Sequence, residues 1–143
     1  MKAGETFVWI DRYLDRAQAG PLWMRDERVA ALVEQRILSE PGCELHAYVI
    51  MANHIHLLMT PLVNPPRVMQ SIKGGSARLV NQLLGQTGSF WQRESYDHWV
   101  RNSEEFGRVQ RYIENNPVAA GLVETPEMYR WSSAFSSNPC RPR

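Results

Sequence analysis

The chain has 143 residues, 43% of them hydrophobic and 22% charged, with a formal net charge of +1. That is enough for one domain, residues 1–143, with a real core, and the near-neutral balance excludes a global basic field, so any nucleic-acid contact would need a local patch. No apolar run approaches the ~20 residues that cross a bilayer. The N-terminal MKAGETFVW lacks the basic start and long apolar stretch of a signal peptide. Cys43 and Cys140, the two cysteines, therefore read as free thiols of a cytoplasmic protein with no membrane partner.

Residues 6–13 are rich in β-branched and aromatic side chains and predict a first strand. Residues 15–21 form a loop. Asp26 opens a helix in which Val29, Leu32, Val33, Arg36 and Ile37 recur at spacings of three and four, and Pro41-Gly42 closes it. Residues 43–51 and 54–60 predict a second and a third strand. Only Ala52-Asn53 lies between them, short enough for a hairpin turn, so the two strands are antiparallel neighbours. A proline-containing loop, 61–66, leads into a long helix, 67–86, with Val68, Met69, Ile72, Leu79, Val80, Leu83 and Leu84 as its apolar stripe. Gly74-Gly75 inside it predicts a bend or a close approach by another backbone. After a loop at 85–88, residues 96–100 predict a fourth strand. A third helix runs from Glu104 to about Asn115, capped by Asn102 or Ser103 and ended by Pro117. A C-terminal extension follows from about residue 118, with a Tyr-Arg-Trp turn and a frayed tail. The order β-α-β-β-α-β-α predicts an α+β fold: a split βαβ, with a four-stranded antiparallel sheet and helices on one face.

His54 and His56 flank Ile55 on the third strand, so their imidazoles point to the same side. Residues 45–58 are otherwise strongly apolar, and polar rings buried there require partners. Two imidazoles on one side of a rigid strand begin a divalent-metal site but do not complete it. On the third helix, Arg108, Tyr112 and Asn116 are spaced by four and share a flank beside the core stripe of Phe106, Val109 and Ile113. A phenol oxygen becomes a nucleophile when a base, a metal or a cation helps it lose its proton. A metal held by His54, His56 and the Asn116 oxygen would polarise a phosphodiester for attack by Tyr112. The mixed imidazole and amide-oxygen set suits Mg2+ or Mn2+ bound together with substrate phosphate.

His54-Ile55-His56 resembles the His-hydrophobic-His motif of the HUH endonucleases. Together with SIKGGSARLVNQLLG, FWQRESYDHWVRN, RYIENNPVAAGLV and YRWSSA, the chain closely resembles the REP-associated tyrosine transposases, single-tyrosine relatives of bacterial single-strand transposases. The resemblance covers residues 22–135. It implies a ferredoxin-like (RRM-like) fold and metal-dependent cleavage and rejoining of single-stranded DNA at short palindromic hairpins. His54 and His56 match the metal-binding histidines, Tyr112 the nucleophile, and Asn116 the polar residue that completes the metal site. Ala52 stands where the family usually has proline, and Gly74-Gly75 where bulkier residues are expected.

Lys73, Arg78, Arg93, Arg101, Arg108 and Arg111 are candidates for a local basic surface that holds phosphates. Trp91 and Trp99 are candidates for stacking on unpaired bases. His46 and His98 read as structural. A non-cleaving hairpin-binding module of the same fold is the rival to the cutting enzyme, and a plasmid- or virus-type replication initiator is a third reading. The chain could act as a monomer or a homodimer.

Overall fold

Residues 6–12, 26–91 and 96–136 are described by a computed structural model of the chain. Tyr13, the loop expected at 15–21, Arg93 and Cys140 lie outside them. Four strands, β1 (Phe7–Arg12), β2 (Cys43–Ile50), β3 (His54–Pro61) and β4 (Tyr96–Trp99), form one antiparallel sheet in the order β2-β3-β1-β4. Three helices accompany it: α1 (Glu27–Leu38), α2 (Pro65–Leu84) and α3 (Ser103–Ala119). The element order expected from the sequence is the one observed.

Period-two alternation splits the strand residues between two cores. Phe7, Tyr48, Ile50, Ile55, Leu57 and Met59 face one side and pack with Val29, Val33 and Ile37 of α1 and Val68, Ile72 and Val80 of α2. Val8, Ala47, Val49, Met51 and Leu58 face the other, against Ile113, Phe106 and Val109 of α3. The expectation of helices on one face is therefore corrected. The apolar residues of β2 and β3 leave neither side of the sheet fit for solvent, and α3 covers the second side. In β2 the pairing slips between Leu45 and Ala47. His46 is the extra residue of this bulge. It bonds Thr60 Oγ1 at 2.7 Å and meets the Phe106 ring edge-on at 5.3 Å.

Local chemistry sets the helix ends. Asp26 caps α1 by accepting the Arg28 N–H at 2.9 Å. α2 begins two residues earlier than expected, because Pro65 and Pro66 occupy its first positions, where a missing N–H leaves no helix bond unmade. α2 runs unbroken through Gly74-Gly75. At Gly75 it is the Arg36 side chain that comes close, not a backbone: a Cβ there would lie 2.5 Å from Nε. Arg36 also bonds Glu40 and Ser71, tying α1 to α2.

Pro117 does not end α3, which continues to Ala119. The rule that a residue before proline avoids helical geometry is a local steric preference. Here the buried Pro117 and Ile113 hold the segment on the sheet. The real stop is Gly121, at φ +75°. The Gly121 N–H bonds Val118 O and the Leu122 N–H bonds Pro117 O, which is a Schellman closure. Beyond it, a 3-10 turn (Pro126–Met128) leads to residues 131–133, which lie along the outer edge of β2 through a Val49–Ser132 bridge.

Candidate active site between β3 and α3

The strand and helix carrying the candidate residues meet on the α3 side of the sheet. His54, His56 and Leu58 share that side of β3. The His54 and His56 rings stand edge to face with centroids 4.7 Å apart. His56 is 4% exposed, and its ring meets the Tyr112 ring edge-on at 5.7 Å. Tyr112 itself is 61% exposed. One side of the phenol thus rests on a buried imidazole while the residue stays open to a large substrate. Asn116 follows one helical turn later and is half-buried. The continuation of α3 through Pro117 keeps it on the same flank as Tyr112 and Arg108.

Asn53 is a contributor that sequence reasoning passed over as part of the hairpin turn. Its Oδ1 lies 2.6 Å from His54 Nδ1. A carboxamide oxygen only accepts, so in this contact the proton sits on His54 Nδ1, which would make Nε2 the ligating nitrogen of a metal site. Its position directly before the first histidine was the available signal. Among the described residues, no three or more of His, Cys, Asp and Glu converge on a possible metal. The set expected from the sequence, two imidazoles and the neutral Asn116 oxygen, would leave the remaining positions of a divalent ion for phosphate and water. Such a set suits an oxygen-tolerant ion rather than a closed zinc site.

The basic candidates do not form one surface. Lys73 and Arg78 belong to α2, on the opposite side of the sheet from Tyr112. Arg101, Arg108 and Arg111 accompany α3 and are exposed. Glu105, 6% exposed in the first turn of α3, organises two of them. It accepts from the Arg101 backbone N–H at 3.1 Å and from that guanidinium at 3.1 and 3.2 Å, and lies 3.8 Å from Arg108 Nη2. The Arg101 backbone bond, opposed by burial and helped by the guanidinium and by His98, holds the Glu105 carboxyl below its ordinary range. His98 Nε2 is 3.8 Å from Glu105. It sits on β4 opposite Val8, away from the histidine pair. Burial depresses the His46 pKa, in keeping with a structural role.

Trp91 is corrected as a stacking candidate. It is 6% exposed, packs edge-on against Phe90 at 5.1 Å and donates from Nε1 to Ser76 Oγ at 2.9 Å. A base needs an open ring face, which Trp91 does not offer. Trp99 is 43% exposed, with Phe7 against its edge at 5.0 Å.

A family model described as "Transposase IS200 like" matches residues 7–116. That span contains both histidines and Tyr112 and ends at Asn116. A Haemophilus influenzae protein named as a REP-associated tyrosine transposase is 28% identical over 102 residues, 63% of this chain and 58% of that one. A second H. influenzae protein, of unassigned function, is 25% identical over 112 residues. The chain spans about three-fifths of the length of these curated relatives (58% and 61%). The solved structure of a REP-associated tyrosine transposase bound to a REP hairpin is similar with a TM-score of 0.71, covering 99% of this chain and 86% of that one at 19% identity. A Deinococcus radiodurans protein solved as a transposase gives 0.50 at 22% identity, covering 77% of this chain and 88% of that one. At such identities the two structures speak for the fold. Among the described residues, no helix is long and apolar enough to cross a membrane.

Proposed function

The chain belongs to the IS200-like transposase family, and from that premise we propose that it is a REP-associated tyrosine transposase, a cytoplasmic enzyme that cuts and rejoins single-stranded DNA at palindromic hairpins. The observation that carries this reading is the ring contact between His56 and Tyr112, 5.7 Å across the interface of β3 and α3. It joins residues 56 positions apart in sequence (112 − 56) into one site.

Tyr112 is the nucleophile. Its oxygen attacks a phosphodiester phosphorus, the phenolic proton leaves, and the bond from phosphorus to the leaving sugar oxygen breaks. One strand end becomes a phosphotyrosine ester and the other a free hydroxyl. The ester keeps the bond energy of the diester, so a strand hydroxyl attacking it restores the diester and releases the tyrosine without ATP. His54, His56 and Asn116 would hold one Mg2+ or Mn2+, which supplies Lewis-acid polarisation of the phosphate when bound. Asn53 fixes the His54 tautomer. The burial of His56 keeps one side of the site dry, and the exposure of Tyr112 leaves its other side open to the strand. Arg101, just before α3, and Arg108 and Arg111 on it would neutralise phosphates, which gives affinity without sequence information. The hairpin substrate is inferred from the named relatives, one of which was solved with a REP hairpin.

The test is incubation of an end-labelled REP-type hairpin with a single-stranded flank and Mn2+, followed by denaturing gel electrophoresis. Wild-type protein gives a covalent protein–DNA adduct and a cut strand. Tyr112→Phe gives neither but still shifts the hairpin on a native gel. A covalent adduct from Tyr112→Phe would remove Tyr112 from the role. A wild-type shift without any cut would make the protein a non-cleaving hairpin-binding module.

A further inference from the structure

The segment after α3 lies beyond the family match, which ends at residue 116, yet residues 129–133 hold three elements at once. Along the outer edge of β2, the Ile50 N–H bonds Trp131 O at 2.8 Å and the Ser133 N–H bonds Tyr48 O at 3.0 Å. The Tyr48 N–H donates to Ser133 Oγ at 3.0 Å. On the α1 side, Arg130 donates to Glu34 Oε2 at 3.1 Å and stacks over the Trp131 ring at 4.3 Å. Tyr48 OH reaches the same Glu34 oxygen at 2.9 Å. On the α3 side, Ser133 Oγ donates to Glu114 Oε2 at 2.9 Å. Tyr129 OH donates to Ile50 O at 2.7 Å, next to the hairpin that leads into His54.

Helical geometry gives the Glu114 bond its meaning. Successive residues turn about 100° around a helix. Ile113 points into the sheet and is fully buried. Tyr112 and Glu114 therefore leave the helix on opposite flanks, one over His56 and one toward the β2 edge. With Ile113 as the pivot, a bond on the Glu114 flank resists rolling of α3 about its own axis. A roll of about 10° at a side-chain radius of about 6 Å moves the phenol by about 1 Å. A misplacement of that size costs on the order of a hundredfold in rate.

We propose that residues 129–133 form a clasp that sets the roll of α3, with Glu114 and Ser133 as positioning residues for the Tyr112 nucleophile. The inference rests on the reading of Tyr112 as nucleophile for its kinetic arm, and on geometry alone for its spectroscopic arm. The clasp uses both faces of the sheet and the β2 edge, so the register of Tyr112 against His56 is set by the chain's own C-terminal segment.

The test compares Glu114→Ala with Glu114→Gln, whose amide oxygen still accepts the Ser133 proton. Glu114 lies outside the phosphate and metal contacts proposed above. For Glu114→Ala, single-turnover adduct formation is expected to fall about tenfold to a hundredfold, with hairpin Kd within about twofold of wild type. Glu114→Gln is expected to retain most of the rate. A purely structural role would lower rate and binding together, in step with the folded fraction measured by circular dichroism. The second readout is the NMR shift of the His56 ring protons, which lie beside the Tyr112 ring and feel its ring current. In Glu114→Ala these shifts move toward those of Tyr112→Ala; in Glu114→Gln they stay near wild type. Unmoved His56 shifts in Glu114→Ala, or a Glu114→Gln protein as impaired as Glu114→Ala, would overturn the clasp. A wild-type protein that forms no adduct would overturn the proposed activity instead and leave the His56 shifts to decide the clasp.

Discussion

Replacing Pro117 by alanine tests whether packing rather than local preference holds α3 together at Asn116. A proline inside a helix costs about 3 kcal/mol relative to alanine, through the missing N–H and the clash with the carbonyl four residues back. Here that carbonyl belongs to Ile113. Alanine at 117 would restore a donor to it. Against this gain, Pro117 is buried, and the loss of two ring methylenes costs about 1.6 kcal/mol at ~0.8 each. The freer unfolded chain costs about 0.4–1 kcal/mol more. The Schellman bond from the Leu122 N–H uses the carbonyl of residue 117, which alanine keeps. The balance is a stabilisation of about 0.4–1 kcal/mol, or roughly 1–3 °C in Tm for a domain of this size. Thermal unfolding followed by circular dichroism measures it, and adduct formation is expected to be unchanged because Asn116 stays on its flank. A Tm lower than wild type by more than about 3 °C would refute the reasoning. It would mean that the pyrrolidine ring itself, rather than Ile113 and the closure at Gly121, keeps the last turns of α3 in place.

Trp91→Phe is expected to lower Tm through loss of the bond to Ser76 Oγ while leaving hairpin affinity unchanged below the melting range. A matching loss of affinity in the folded variant would restore Trp91 as a base contact. Glu105→Gln is expected to destabilise the protein at neutral pH and progressively less as pH falls. The folded carboxyl titrates below its ordinary value, near 4.5, so the unfolded chain binds its proton first. Stability supplied by the charged form is therefore complete above that ordinary value and is lost as pH falls toward the depressed folded one. Melting of both proteins at pH 7 and at about pH 3 measures this, and a Tm difference that does not shrink with acid refutes it.

The sheet was legible because its strands carry period-two patterns and its hairpin has a two-residue turn. The paired imidazoles were legible for the same reason, since His54 and His56 differ by two. What local pattern does not encode is which side of a sheet a helix chooses. β2 and β3 are apolar on both sides, and that signal calls for cover on both, whereas the element order alone predicts helices on one face. Pro117 predicts a stop because the rule before proline is local, whereas Ile113 one turn earlier is packed against strand residues far away in sequence. Trp91 and Trp99 look alike as letters, and only the fold distinguishes an indole bonded to Ser76 from one at a sheet edge. The arginines read as one patch because sequence order does not reveal that α2 and α3 lie on opposite sides. Asn53 was visible as a turn residue, but its bond to the His54 ring depends on how the hairpin bends.

Arg36 passes beneath α2 where Gly75 leaves room for it, and this couples two positions that lie thirty-nine residues apart (75 − 36). A side chain at 75 would push the Arg36 side chain aside, and with it loosen the tie between the first two helices. Gly74, with nothing within 4 Å of a Cβ, is under no such bond, so of two adjacent and identical letters only the second is written into the architecture.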